Sequence, residues 1–200
     1  MRYFYDTEFI DDGRHIELIS IVVVAEDGRE YYAQSVEFDE SKASLWVQEH
    51  VLQSLVVCPH LSGNCKGLYA HRDVGGQCAF RRIDNNQLIG ACTACPWRTR
   101  AQIAAEIRGF MDIEKYGSPE LWAYYGAYDH VAFAQLFGPL TNLPPGFPMV
   151  SHDISQWSHQ LGDPTLPEQT EGKHIAICDA RHVCYLYKFL SCIQEMQTPC

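Results

Sequence analysis

Met-Arg-Tyr-Phe-Tyr-Asp-Thr-Glu-Phe-Ile, residues 1–10, is the stretch that decides how the rest of the chain is read. Aromatic and aliphatic residues on either side of two acids predict a short buried strand. Asp6 and Glu8 stand two apart, so on a strand they point to the same face. Two carboxylates side by side on a core strand repel each other and are costly to desolvate. A divalent cation is the simplest offset, and oxygen ligands of this kind suit Mg²⁺ or Mn²⁺. Alone, Asp-x-Glu is weak. An acidic pair at a strand end facing water is its ordinary reading, and only residues far along the chain change that.

Two hundred residues allow one domain with a sizeable core, or one domain with a small insertion. Hydrophobic content of 46% and charged content of 20% are those of an ordinary globular protein. No stretch is apolar enough to cross a membrane, and residue 1 is not followed by a basic-then-apolar leader. The expectation is a cytoplasmic protein without a membrane partner. Nine cysteines in a reducing compartment point to thiols or metal ligands rather than disulfides. A net charge of −10 argues at first against a nucleic-acid partner. The charge is uneven, however. Residues 57–100 carry six basic and two acidic side chains, while the remainder carries nine basic and 23 acidic ones.

Strand patterns at Ile16–Ala25 and Arg29–Gln34, joined by Asp27-Gly28, predict an antiparallel meander with the first strand. Ser41–Leu55 has helical periodicity, with Leu45, Trp46, Val47, Val51, Leu52 and Leu55 on one broad apolar face. Thr99 with Gln102 three residues on predicts the start of a helix over Ala101–Met111. Further on, the pattern predicts a strand at Leu121–Tyr125, a helix from Tyr128 to Phe137 and a short strand at Met149–Asp153. Helices at Ile154–Leu161 and Ile175–Leu190 complete the order. A meander followed by alternating helix and strand predicts an α/β fold, a mixed sheet with helices on its faces.

Two more acids sit where chemistry wants them. Asp129 falls just past a strand, at the start of a helix, where ligands gather in open α/β sheets. A plain helix-start acid favoured by the dipole explains it as well. Asp179 lies in the apolar run Ile175-Ala176-Ile177-Cys178-Asp179-Ala180, with His174 five residues before it. The set Asp-x-Glu, a middle Asp and His-x4-Asp resembles the DEDDh superfamily of 3′–5′ exonucleases, which has a ribonuclease H-like fold. The runs Tyr3–Glu8, Leu121–His130, Leu143–Pro148 and His174–Arg181 resemble the small actinobacterial, mycobacterial-type 3′–5′ exoribonuclease subfamily over residues 2–55 and 97–190.

That resemblance implies that Asp6, Glu8, Asp129 and Asp179 hold two Mg²⁺ or Mn²⁺ ions. Asp6 would bridge them, Glu8 and Asp179 would complete one site, and Asp129 would serve the other. His174 would deprotonate the attacking water. The chemistry stands without the family: carboxylates repel a phosphodiester unless metal charge reverses the field, and paired ions stabilise both attacking and leaving oxygens. A histidine titrating near ~6.5 can take the proton at neutral pH. Thr7 and Phe9, Tyr125 and Tyr128, and Arg181 are the expected substrate contacts. Core packing accounts equally for Tyr125, and a surface ion pair for Arg181. The resemblance also implies a single-stranded nucleic-acid substrate, RNA preferred, and leans toward a homodimer.

Residues 57–96 depart from that subfamily. The expected organisation is an exonuclease domain over 1–56 and 97–200 interrupted by a cysteine-rich insertion over 57–96. Cys92-x2-Cys95 has knuckle spacing for zinc, and Cys58-x6-Cys65 can supply the other pair. Cys78, His60 and His71 are spare candidates. A small Gly-rich insertion has too little core to order itself without a staple, so one Zn²⁺ is expected there. Arg72, Arg81, Arg82 and Arg98 are expected to guide a single strand. Two rivals stay open: the same fold acting on DNA, and a zinc-containing nucleic-acid-binding module with a vestigial acidic site.

Overall fold

The computed structural model describes residues 1–56, the backbone of 82–84 and 87–89, and residues 96–197. The expected zinc ligands Cys58, Cys65, Cys92 and Cys95 lie outside the described residues, as do Cys78, His60, His71, Arg72 and Arg81. Within 57–95 the backbone shows an antiparallel pair, β4 (Arg82–Asp84) with β5 (Gln87–Ile89).

Strands β1 (Arg2–Asp11), β2 (Ile16–Ala25) and β3 (Glu30–Ser35) form the expected antiparallel meander. β2 is buried from Leu18 to Ala25, as its sequence, apolar there except at Ser20, demands of a strand covered on both faces. β6 (Trp97–Arg98) adds in parallel beside β3, and β7 (Glu120–Ala123) adds in parallel on the far side of β1. β8 (His152–Asp153) closes that edge. The six-stranded mixed sheet runs β6-β3-β2-β1-β7-β8, the mixed α/β sheet that the sequence predicts.

Helices cover both faces. On one side α2 (Arg100–Phe110) and α4 (Ala127–Gln135) meet Tyr3, Tyr5, Ile21 and Val23. On the other, α6 (Ala176–Gln197) lies on Phe4, Val22 and Val24. α2 opens with the capping box that Thr99 and Gln102 announce. Two smaller helices, α3 (Ile113–Tyr116) and α5 (Ile154–Gln160), sit beside β7 and β8 in the sequence. Burial of large side chains such as Tyr3, Tyr5, Phe4 and Phe133 stabilises this sandwich by roughly 1.5–3 kcal/mol each.

The helix expected over Ser41–Leu55 is broken up. Only α1 (Leu45–His50) is α-helical, capped by Ser44, with 3₁₀ turns at Glu40–Lys42 and Leu52–Ser54. Val51 and Val47 still reach the core, but Leu45 and Trp46 face outward, because a cap at Ser44 turns the first helical residues away from the sheet. Arg98 pairs with Glu106 at 2.8 Å with its side chain largely buried, rather than standing out as a strand-guiding cation. No helix among the described residues is long and apolar enough to cross a membrane.

Gly126 joins β7 to α4, and a Cβ there would come 2.3 Å from the Ala123 Cβ. Gly126→Ala is therefore expected to destabilise the fold by about 1–3 kcal/mol through overpacking. Chemical denaturation of the two proteins checks this, and an unchanged midpoint would count against so tight a turn.

Candidate active site

The alternation of β1 distributes the chemistry. Tyr3 and Tyr5 face α2 and α4, and Phe4 faces α6. Asp6 and Glu8 continue the Phe4 face and Thr7 the Tyr5 face. The strand thus offers two carboxylates to α6 and a hydroxyl to α4. Each finds a partner there.

On the α6 side, Asp179 stands in the first helical turn. One oxygen from each of Asp6, Glu8 and Asp179 lies within 4.8 Å of the other two. On the α4 side, β1 pairs with β7 only over Arg2–Phe4, which leaves the strand edge open further on. Asp129 fills that opening. Its Oδ1 accepts from the Thr7 backbone N–H at 2.8 Å and from the Thr7 hydroxyl at 2.7 Å, in a buried setting. Asp129 thus sits beside the triad of carboxylates with one oxygen already committed.

The four acids are under strain from their own charge. Burial, then Asp129, Glu8 and Asp179, hold the Asp6 carboxyl well above the ordinary carboxylate range. Burial, Asp179 and Asp129 push Glu8 from 4.5 to about 8. Asp129 and Asp179 are raised chiefly by burial. Hydrogen bonds oppose the shift in both: from Thr7 to Asp129, and from Gln169 and His174 to Asp179. Such a set of hard oxygen donors fits a divalent cation, which would relieve the repulsion and favour the ionised forms.

Two clefts open from Asp6. One, of about 430 Å³, includes Tyr124, Gln169, Lys173, His174, Asp179 and His182 in its lining. The other, of about 360 Å³, includes Thr7, Glu8, Phe9, Trp46 and Asp129. His174 takes a left-handed backbone with φ of 65°, a cost accepted at few non-glycine positions. Its N–H donates to Asp179 Oδ2 at 2.8 Å, and its ring meets Trp46 edge-on with centroids 4.8 Å apart.

Trp46 also stacks on His50 at 4.8 Å. Helical periodicity puts Trp46 on the apolar face and gives His50 no role, whereas Trp46 is 48% exposed. The available signal was Ser44 as cap, which exposes the first helical turn and puts His50 four residues on, on the Trp46 face. Phe9 and Tyr128 lie nearly parallel at 5.9 Å, with Tyr128 exposed. Tyr125 is 69% exposed with φ of 56°, so it is not a core residue. Arg181 is taken up by Glu30, through contacts of 2.7 and 2.6 Å, where a phosphate contact was one expectation. Cys178, Cys184 and Cys192 are free thiols.

No family model matches the chain. Two Mycobacterium tuberculosis proteins from different strains, each named 3′-5′ exoribonuclease, are 45% identical to it over 181 residues, covering 90% of this chain and 88% of theirs. The chain belongs to that 3′-5′ exoribonuclease family. A solved full-length 3′-exonuclease aligns with 97% of the chain and 81% of its own length at a TM-score of 0.48 and 12% identity. Asp6, Glu8, Asp129, His174 and Asp179 all line the two clefts.

The raised carboxyls make a stability prediction for the metal-free exonuclease. Groups with folded-state values above their unfolded ones stabilise at low pH, and that contribution is lost as pH rises through the folded values. Melting temperature should therefore fall between about pH 4.5 and 8, the window set by Glu8. Mn²⁺ should raise it most at the alkaline end. A flat profile, with no Mn²⁺ effect, would contradict the crowding of these acids.

Proposed function

We propose that this protein is a divalent-metal-dependent 3′–5′ exoribonuclease that releases nucleoside monophosphates from single-stranded RNA. The observation that carries the reading is the approach of Asp6, Glu8 and Asp179 to within 4.8 Å, with Asp129 across the β1 edge and His174 in the adjoining cleft. That the mycobacterial relatives are named exoribonucleases supports RNA as the substrate.

In this reading the four carboxylates hold two Mg²⁺ or Mn²⁺ ions, which when bound reverse the local field and polarise the scissile phosphodiester. Thr7 aims Asp129 by filling its Oδ1. The His174 imidazole accepts a proton from the attacking water, hydroxyl adds to phosphorus, and the bond to the upstream 3′ oxygen breaks. That oxygen takes up a proton from solvent water, His174 returns its own proton to solvent, and the chain is one nucleotide shorter. Placing the base on the loop before α6 suits closure over the bound end. The parallel Phe9–Tyr128 pair and the exposed Trp46 ring offer stacking surfaces to the terminal base, and base stacking tolerates any sequence. A homodimer is part of the proposal, as is one structural Zn²⁺ on Cys58, Cys65, Cys92 and Cys95. Both rest on the sequence.

Matched 5′-labelled RNA and DNA oligomers, incubated with Mn²⁺ or Mg²⁺ and with a chelator, test the reading. RNA should shorten stepwise from its 3′ end, with chelator and Asp6→Asn each abolishing the ladder. His174→Ala should slow cleavage by ~10²–10⁴-fold. Faster loss of DNA would favour the deoxyribonuclease alternative. Binding that ignores Asp6→Asn, without cleavage, would favour a binding module. Elemental analysis of protein prepared without chelator should find zinc near one per chain, and iron or no metal would refute that part.

A further inference from the structure

We propose that Gln169 is a positioning residue that presents Asp179 to the metal site and ties the His174 loop to it. The inference rests on the metal-site reading above. Asp179 is held from both sides. Gln169 Nε2 donates to Oδ1 at 2.6 Å, and the His174 N–H donates to Oδ2 at 2.8 Å. The second Gln169 amide hydrogen reaches the Glu171 carbonyl at 3.2 Å. Both donors of this side chain are therefore used, one on the carboxylate and one on the loop that leads to His174. The loop itself is pressed against α6: a Cβ on Gly172 would lie 2.7 Å from the Cys178 sulfur, and the Ile175 N–H returns to the Gly172 carbonyl at 3.1 Å.

The choice of a neutral amide has a physical reason. Asp179 shares a small volume with Asp6 and Glu8. A lysine or arginine at residue 169 would form an ion pair with Asp179 and oppose a cation there. An amide donates a hydrogen bond that orients the carboxylate, adds no charge, and leaves its remaining lone pairs for an ion. Partners of this kind around metal ligands are worth 10–100-fold in affinity or activity. Gln169 lines the same cleft as His174, so one side chain sets both the ligand and the approach to the base.

Gln169→Met keeps the length and removes the donor. Direct Mn²⁺ titration by calorimetry, with spin-resonance detection of free ion, should show affinity falling roughly 10–100-fold while the melting temperature of the metal-free protein hardly moves. At saturating Mn²⁺ the variant should regain most of its RNA cleavage, because the ion then orders Asp179. His174→Ala should bind Mn²⁺ normally and gain nothing from excess. Wild-type Mn²⁺ affinity in Gln169→Met would overturn the proposal and leave the exonuclease reading intact. Should Gln169→Met fail to fold, Gln169→Asn, whose amide falls one methylene short, takes its place with the same two outcomes. Wild-type protein that binds no Mn²⁺ would overturn both readings.

Discussion

Everything at the site follows from mutual repulsion among buried carboxylates. Asp6 is surrounded by Asp129, Glu8 and Asp179, and burial raises the energetic cost of each ionised form. A fold can tolerate such crowding only if other interactions hold the acids in place. Here the sheet does it. β1 carries two acids on a stretch paired with β2, beside the edge that β7 leaves open beyond Phe4, and cannot move them apart without giving up that pairing. The two acids that come from helices are each restrained by hydrogen bonds, Asp129 by Thr7 and Asp179 by Gln169 and His174.

This division of labour explains the placement of the neighbours. Thr7 sits between the strand acids in sequence but faces the opposite side of the sheet. That is why it can serve Asp129 while Asp6 and Glu8 serve Asp179. A single strand of period two thus organises groups from both helical layers. Gly126 belongs to the same arrangement, since a side chain there would force α4 away from β7 and take Asp129 with it. The strained backbone at His174 has a similar logic: its N–H is turned onto Asp179, and the cost of a left-handed residue is offset by a hydrogen bond to a charged acceptor.

The periphery is built differently from the centre. Around the acids lie aromatic rings with little mutual burial, Trp46 on His50, Tyr124 on Tyr125, and Phe9 on Tyr128. Rings exposed to water lose hydrophobic stabilisation unless something flat covers them. In the proposed function, carboxylates for metal charge and rings for bases suit a polymer that carries both phosphate and aromatic groups.

From the residues alone, the meander, the longer helices and the acidic groups were legible, whereas β6, α3 and the 3₁₀ turns beside α1 were not. Period-two alternation puts Asp6 and Glu8 together, and the Thr99 and Gln102 pair marks a helix start, because both depend on neighbours in the chain. The position of Trp46 was legible only through Ser44 as a cap, since helical periodicity over residues 41–55 by itself gives no sign that α1 runs only from Leu45 to His50. The tie between Thr7 and Asp129 was not legible, nor was that between Gln169 and Asp179. Those contacts join residues 122 and 10 positions apart, and a hydrogen bond has no periodicity to announce it. Local pattern determined which side chains exist on which face; the packing of α4 and α6 against the sheet decided which of them meet.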